Sequence, residues 1–170
     1  VPRSRKASRA TISFFVDASD ITPPPVSITL KKGPVAASAA AFGNSSFVFS
    51  ILDDVTVPVL DGVATFDDLP IYEGTLLSTE FTYSARNPNQ RFILNNIGID
   101  TDLLSVTVKA NEQSTQSVKY SLQDSLFSVK SDSKVYYIQE IEDERYELFF
   151  GDDVFGQALE EGNFITANYI

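Results

Sequence analysis

Residues 137–156 read YIQEIEDERYELFFGDDVFG, and the chain continues through Gly162-Asn163 into the run NFITANYI at residues 163–170. The aromatic and aliphatic residues are typical of strands, and glycine permits the positive φ angles at which a chain reverses direction. The pattern predicts a strand that ends at a Gly-Asp turn, a short turn region, a second turn at Gly162-Asn163 and a returning strand.

The rest of the chain has the same character. Short runs rich in Thr, Val, Ile, Phe and Tyr alternate with Gly, Pro, Asn and Asp, which predicts many strands and few helices. Single helical turns are expected at residues 100–103 and 154–160. The predicted strands are residues 11–16, 26–30, 46–52, 55–60, 63–66, 69–72, 76–84, 91–94, 104–110, 117–122, 134–141, 145–150 and 163–169.

The fold class is therefore predicted as mainly β, with two small strand-rich domains or subdomains and only short helical turns. Asn87-Pro88-Asn89 is the clearest break in the strand pattern. The predicted organisation is a basic arm or linker at residues 1–10, a β-rich domain at residues 11–90 and a second β-rich domain at residues 91–170.

Three local features carry further expectations. Asp53-Asp54 is predicted as a tight turn between antiparallel neighbours, and Pro58 marks the strand after it as an edge strand. Asp67-Asp68 is likewise predicted as a turn. Residues 125–133 are rich in Ser and Asp, and they are predicted to form a hairpin or a mobile loop.

Composition excludes several kinds of chemistry. The chain has no histidine and no cysteine, so it cannot supply a histidine base, a thiolate nucleophile or a zinc site with the usual ligands. Its net charge is −10, although the first ten residues are basic. An acidic surface repels phosphates and anionic lipids, so neither nucleic acid nor membrane is an expected partner.

No residue combination has the context that a catalytic or metal site needs. The pairs Asp53-Asp54, Asp67-Asp68 and Asp152-Asp153 lack the spaced acidic loop that calcium requires, and adjacent strand residues point to opposite faces. Ser131 and Lys134 have Ser-x-x-Lys spacing but no predicted helix to carry it. The chain is therefore predicted not to be an enzyme, with no catalytic residue, cofactor site or metal site.

Several segments, in this order along the chain, resemble one family. They are Ile71-Tyr72-Glu73-Gly74, Gln90-Arg91-Phe92, and the segment from Tyr137 through Gly151-Asp152-x-x-x-Gly156 to Gly162-Asn163. Together they resemble the large baseplate wedge subunit of T-even-like contractile-tailed phages and the related baseplate J-like proteins. The resemblance extends over nearly the whole chain. One departure is Pro34, where that family more often carries Thr.

The resemblance implies a structural component of a phage tail baseplate wedge. Such a subunit acts by assembly with itself and with other wedge proteins, without an active site or cofactor. The expected location is the virion, after assembly in the bacterial host cytoplasm. The positions carried over from the family motifs are turn positions, namely Tyr72, Glu73, Gly74, Gly151, Asp152, Gly156, Gly162 and Asn163.

An alternative of a different class stays open at this point. A carbohydrate-binding or adhesive β-sandwich of a tail fibre or surface protein would use exposed tyrosines to stack on sugar rings. This alternative predicts clustered exposed aromatic residues, whereas the wedge interpretation predicts aromatic residues that are largely buried. The absence of an initiator Met and the abrupt end at Tyr169-Ile170 also predict a segment of a longer protein.

Overall fold

The computed structural model of the chain describes residues 5–38 and 46–170. These residues form strands and two short 3₁₀ turns without an α-helix, so the predicted mainly-β fold is confirmed. The strands are β1 (Arg9–Asp17), β2 (Ser27–Leu30), β3 (Gly33–Ala37), β4 (Val48–Ile51), β5 (Val55–Leu60), β6 (Val63–Glu73), β7 (Leu77–Thr82), β8 (Phe92–Ile93), β9 (Ser105–Lys109), β10 (Ser117–Leu122), β11 (Val135–Glu140), β12 (Tyr146–Phe150) and β13 (Phe164–Tyr169). The 3₁₀ turns are Thr101–Leu103 and Glu142–Glu144.

Contacts divide the described chain into two compact units. The β1–β6 unit consists of residues 7–76 with Ile170, and the β7–β13 unit consists of residues 77–169 with Arg5 and Lys6. The division falls before β7, ahead of Asn87-Pro88-Asn89, because β7 pairs along its whole length with β13. The domain limits at residues 11–90 and 91–170 stay a prediction.

The predicted basic arm at residues 1–10 is only partly described. Residues 1–4 lie outside the described residues, as do residues 39–45. Arg9 and Ala10 begin β1, where they pair with Tyr72 and Ile71. β1 therefore begins at Arg9, inside the predicted arm, because its pairing with β6 extends to that residue.

The β1–β6 unit is organised around β6, its longest strand. β1 pairs with one edge of β6, while β5 and β4 share the opposite edge, and β2 and β3 lie outside them. The core contains Ile51, Leu69 and Ile71, and the rings of Phe14 and Phe66 stack at 4.9 Å. The unit is therefore a single sheet in which β6 pairs with other strands along both of its edges.

Asp67-Asp68 lies within β6 and does not form a turn between two strands. Two residues of β6 face the single residue Ser13 of β1, which is a β-bulge. Asp68 has a φ of 48°, and its N–H donates to Ser13 Oγ over 2.9 Å. The bulge carries the strand through the acidic pair, so residues 63–66 and 69–72 belong to one strand.

The predicted edge position of β5 is wrong. β5 pairs with β2 on one side and with β6 on the other, so Asp53-Asp54 does not join neighbouring strands. Pro58 lies opposite Ser27, and β6 pairs with β5 only at Val59 and Leu60. Proline is tolerated inside this sheet because β6 does not pair with β5 at Pro58.

The β7–β13 unit is a seven-stranded sheet in the order β7-β13-β9-β10-β11-β12-β8. Its pairs are antiparallel except β10 with β11, which run parallel. The rings of Phe81 and Phe150 each meet Phe92 edge-on at 5.4 Å. The buried core is Phe92, Leu94, Ile99, Val106, Val108, Tyr120, Tyr136, Tyr146, Leu148, Ile165, Ala167 and Tyr169.

Two connections in this unit differ from expectation, and one agrees. Residues 125–133 do not form a hairpin, because the strands they join are parallel, and the alternative of a mobile loop stays a prediction. The helical turn predicted at residues 154–160 is absent, because the chain there bends without helical structure and Ala158 forms a β-bridge with Gly151. The turn predicted at residues 100–103 is confirmed, with Asp100 accepting from Asp102 N over 3.0 Å.

Tyr169 closes the core of the β7–β13 unit. Its side chain is fully buried, and its hydroxyl donates to Asn96 Oδ1 over 2.6 Å. Thr79 Oγ1 lies 2.6 Å from the same hydroxyl. Because Tyr169 has one proton to donate, Thr79 is the donor in the second bond. The hydroxyl thus ties β13 to β7 and to the segment after β8.

We expect Tyr169→Phe to lower the free energy of unfolding by about 1–3 kcal/mol, because Thr79 and Asn96 lose their buried partner. Urea unfolding followed by circular dichroism measures this change. Tyr83→Phe is the matched control, since the Tyr83 hydroxyl makes no hydrogen bond among the described residues. Equal losses in both variants would contradict the role given to the Tyr169 hydroxyl.

Candidate functional site

Tyr72, Glu73 and Gly74 end the central strand of the β1–β6 unit. Gly74 has a φ of 126°, and its N–H donates to Val48 O over 2.8 Å. Its carbonyl accepts from Ser50 Oγ over 2.7 Å. This conformation favours glycine, so the Tyr-Glu-Gly sequence acts as a strand terminator.

Gly151 and Gly156 are brought into direct contact in the β7–β13 unit. A Cβ atom on Gly151 would lie 2.1 Å from the carbonyl carbon of Gly156, and one on Gly156 would lie 2.8 Å from Val135 Cγ2. Gly156 has a φ of 100°, as its predicted turn role requires, whereas Gly151 is not among the positive-φ residues. Gly151 is therefore required by close backbone approach and not by turn geometry.

Asp152 and Asp153 organise the loop between these glycines. Asp152 Oδ1 accepts from Phe155 N over 2.8 Å and from Val154 N over 3.0 Å. These backbone donors hold the pKa of Asp152 below its usual range. Asp153 has a φ of 65°, and its Oδ1 accepts from Ala158 N over 2.8 Å. Both carboxylates thus accept hydrogen bonds from backbone N–H groups of this segment.

Gly162-Asn163 forms a separate turn that leads into β13. Gly162 has a φ of 83°, with open space where a Cβ atom would lie. Asn163 Oδ1 accepts from Glu160 N over 2.9 Å, and Asn163 Nδ2 donates to Ala110 O over 3.3 Å. Asn163 thereby fixes both the turn and its distance from the end of β9.

The remaining candidates for chemistry have structural roles. Asp54 Oδ1 accepts from Lys32 N over 2.8 Å, and this bond and the Lys31 ammonium hold its pKa below the usual range. Lys134 Nζ donates to Gln157 Oε1 over 2.9 Å, so it does not pair with Ser131. Within residues 5–38 and 46–170, no three acidic residues are grouped so as to hold a metal ion.

Arg91 and Glu147 form a bidentate ion pair that the sequence analysis missed. Arg91 Nε and Nη2 donate to the two carboxylate oxygens of Glu147 over 2.8 and 2.7 Å. Glu147 is 5% exposed, and the bonds from Arg91 hold its pKa below the ordinary value of 4.5. The segments are far apart in the sequence, so only their opposite charges hinted at the contact.

Residues 75–170 match the family model described as bacteriophage baseplate wedge protein gp6, third domain. The chain belongs to this family. The matched range contains all of β7–β13, including the Gly151–Gly156 loop and the Gly162-Asn163 turn, while Tyr72-Glu73-Gly74 lies immediately before it. A search of the curated proteins finds no match.

Membership of the gp6 family makes the chain a structural component of the phage tail baseplate wedge, and its location is the virion. It is not an enzyme, and it assembles with other baseplate proteins. Across the described chain, no helix is long and apolar enough to cross a bilayer. None of the seven tyrosines is exposed, which contradicts the tyrosine platform of the carbohydrate-binding alternative.

Replacing Gly151 tests the close approach of the two glycines. We expect Gly151→Ala to cost about 3 kcal/mol or more, because the new methyl overlaps backbone atoms that cannot move independently. Gly162→Ala is the control, with an expected cost of about 1–2 kcal/mol from its left-handed φ alone. Urea unfolding measures both variants, and the idea fails if Gly162→Ala costs more than Gly151→Ala.

The ion pair predicts a pH dependence of stability. Since the pKa of Glu147 is lowered in the folded chain, its stabilisation is present above pH 4.5 and is lost as the pH falls through the lowered value. We expect Glu147→Gln to show a smaller fall in unfolding free energy between neutral and acidic pH than the unmodified chain. Glu80→Gln, which removes an exposed carboxylate without an ion pair in the described residues, should leave that fall unchanged.

Proposed function

We propose that the chain contributes to the wedge by binding neighbouring wedge proteins and a second copy of itself, without nucleic acid or membrane as a partner. The support is the distribution of its surface groups. Its net charge is −10, some of its carboxylates already bond its own backbone or an arginine, and several large apolar side chains are exposed. An acidic surface with apolar anchors suits protein partners better than phosphates.

We further propose that the motif positions hold the shape of these surfaces and take no part in chemistry. Gly151, Asp152, Gly156, Gly162 and Asn163 fix the path of the chain between β12 and β13 through backbone contacts. Tyr72, Glu73 and Gly74 end β6 in the same manner.

The observation that carries the proposal is the apex of the loop between β10 and β11. Phe127 is fully exposed and Leu126 is 51% exposed. Large aromatic side chains that lose water on binding commonly supply much of an interface's energy. An apex of this kind is suited to insertion into an apolar pocket of a wedge neighbour.

The base of this loop is held by hydrogen bonds although its apex is exposed. Gln123 N donates to Tyr136 O over 2.9 Å, and Lys130 N donates to Ser133 Oγ over 3.0 Å. Gly156 N donates to Lys130 O over 3.1 Å, which joins the loop to the Gly151–Gly156 turn. Because hydrogen bonds already order the base of this loop, it loses less conformational entropy on binding than an unrestrained loop would. Binding through Phe127 therefore costs less free energy.

Co-purification of the chain with the tail proteins encoded beside it tests this function. We expect a stable complex with at least one of them, and we expect Phe127→Ser to weaken it by about 2 kcal/mol or more. Val26→Ser is the matched control, because Val26 is an apolar residue that is 87% exposed elsewhere in the chain. Isothermal titration calorimetry gives the affinities.

Two outcomes distinguish an error about the loop apex from an error about the binding function. Equal affinities for Phe127→Ser and the unmodified chain would exclude the loop apex as the anchor. Failure of the chain to bind any of the neighbouring tail proteins would contradict the proposed binding function itself.

A further inference from the structure

The outer edge of β1 has no paired strand in the part of the chain that the structure describes. β1 pairs with β6 from Arg9 to Asp17, interrupted only by the bulge opposite Ser13, and β4 and β5 pair with the other edge of β6. An open edge presents unpaired N–H and C=O groups, which form a template for another strand.

Hydrogen bonds beyond both ends of β1 identify the residues that face this open edge. Ala18 N donates to Gly62 O over 2.7 Å, and Ser8 O accepts from Glu73 N over 2.8 Å. Successive residues of a strand direct their backbone groups to alternate edges. The even-numbered residues therefore bond to β6, and the odd-numbered residues of β1 direct their N–H and C=O outward.

The edge is regular and uncharged along its middle. The extra residue of the bulge lies in β6, so β1 keeps its alternation. Residues 11–16 read TISFFV, with no charge, proline or glycine, and Phe15 is 69% exposed. Edge strands usually carry charges or proline that prevent pairing with another chain, and this stretch has neither.

We propose that a second copy of the chain pairs antiparallel with this edge about a two-fold axis at Ser13. The proposal rests on the proposed function, for which it names one partner and one surface. In this register Arg9 of each copy lies opposite Asp17 of the other, so the interface is charge-complementary at both ends. The odd-numbered β1 residues of the two copies lie opposite each other, and their outward N–H and C=O groups form hydrogen-bonded pairs.

The same register matches the side chains on both faces of the joined sheet. On the half-buried face, Ile12 lies opposite Phe14 of the second copy. On the exposed face, Phe15 gains Thr11 as its neighbour. A shift by one residue would put apolar side chains opposite solvent-facing ones, and a shift by two would separate Arg9 from Asp17.

Both charged groups are positioned at the ends of β1. Asp17 Oδ1 accepts from Ser19 Oγ over 2.6 Å and from Ser19 N over 2.9 Å. Both bonds end on Oδ1, so a guanidinium can bond Oδ2. The Arg9 guanidinium lies 5.4 Å from the centre of the Tyr72 ring of β6, on the paired side of β1, so it must swing from this cation–π contact to reach Asp17 of the second copy.

Sedimentation velocity of the 170-residue chain, from micromolar to millimolar concentration, tests the pairing. We expect a concentration-dependent dimer. Arg9→Asp and Asp17→Arg should each raise its Kd by at least about tenfold, because each change places like charges opposite each other at both ends. An equimolar mixture of the two variants should restore the dimer, since each copy then supplies the charge that the other needs.

Thr11→Pro provides a variant that leaves the fold intact. Its N–H points outward, so proline removes one bond per copy from the proposed interface and none from the ladder with β6. We expect loss of the dimer, with an unchanged urea midpoint at concentrations at which the unmodified chain is also monomeric. The three single variants are compared with the unmodified chain by circular dichroism, to show that each is folded.

Three results would overturn the pairing. These are a chain that stays monomeric throughout, a dimer that is insensitive to Thr11→Pro, and single charge variants that fail to rescue each other when mixed. A monomeric chain that still binds a neighbouring tail protein would contradict this inference and leave the binding of wedge proteins standing.

Discussion

The contact between the backbones of Gly151 and Gly156 is the constraint on which the β7–β13 unit depends. It leaves no room for a side chain on Gly151, and it brings Ala158 beside Gly151 in a parallel bridge. The chain is thereby directed away from β12 and toward the Gly162-Asn163 turn. β13 then enters between β7 and β9, where Ile165, Ala167 and Tyr169 are fully buried. The last strand completes the core only because this loop delivers it to that position.

Strand positions were largely predictable from the sequence because they depend on local composition. β-branched and aromatic runs such as TISFFV are strands in the structure, and the glycines at residues 156 and 162 have the positive φ that turns require. Strand partners were not predictable in the same way. The parallel pairing of β10 with β11 depends on contacts between distant residues, and a Ser/Asp-rich connection has the same composition in a hairpin and in a crossover.

The candidate site shows the same division between local and distant effects. Turn positions followed from glycine and Asn chemistry, whereas the need for glycine at residue 151 arises from a neighbouring backbone that no local pattern reveals. Asp67-Asp68 illustrates a second difficulty, because an acidic pair suits a turn and a bulge equally well. The Arg91–Glu147 ion pair joins two segments that meet only in the folded sheet.

A chain with a net charge of −10 must limit repulsion wherever two copies meet. Because repulsion between exposed charges is screened beyond about 10 Å at moderate salt, the charges at the contact itself decide whether copies associate. The chain as a whole carries 23 acidic residues against 13 basic ones. The open edge of β1 is different, since its middle is uncharged and its ends carry one positive and one negative residue. Local neutrality, and not the overall charge, determines where an acidic structural protein can contact itself.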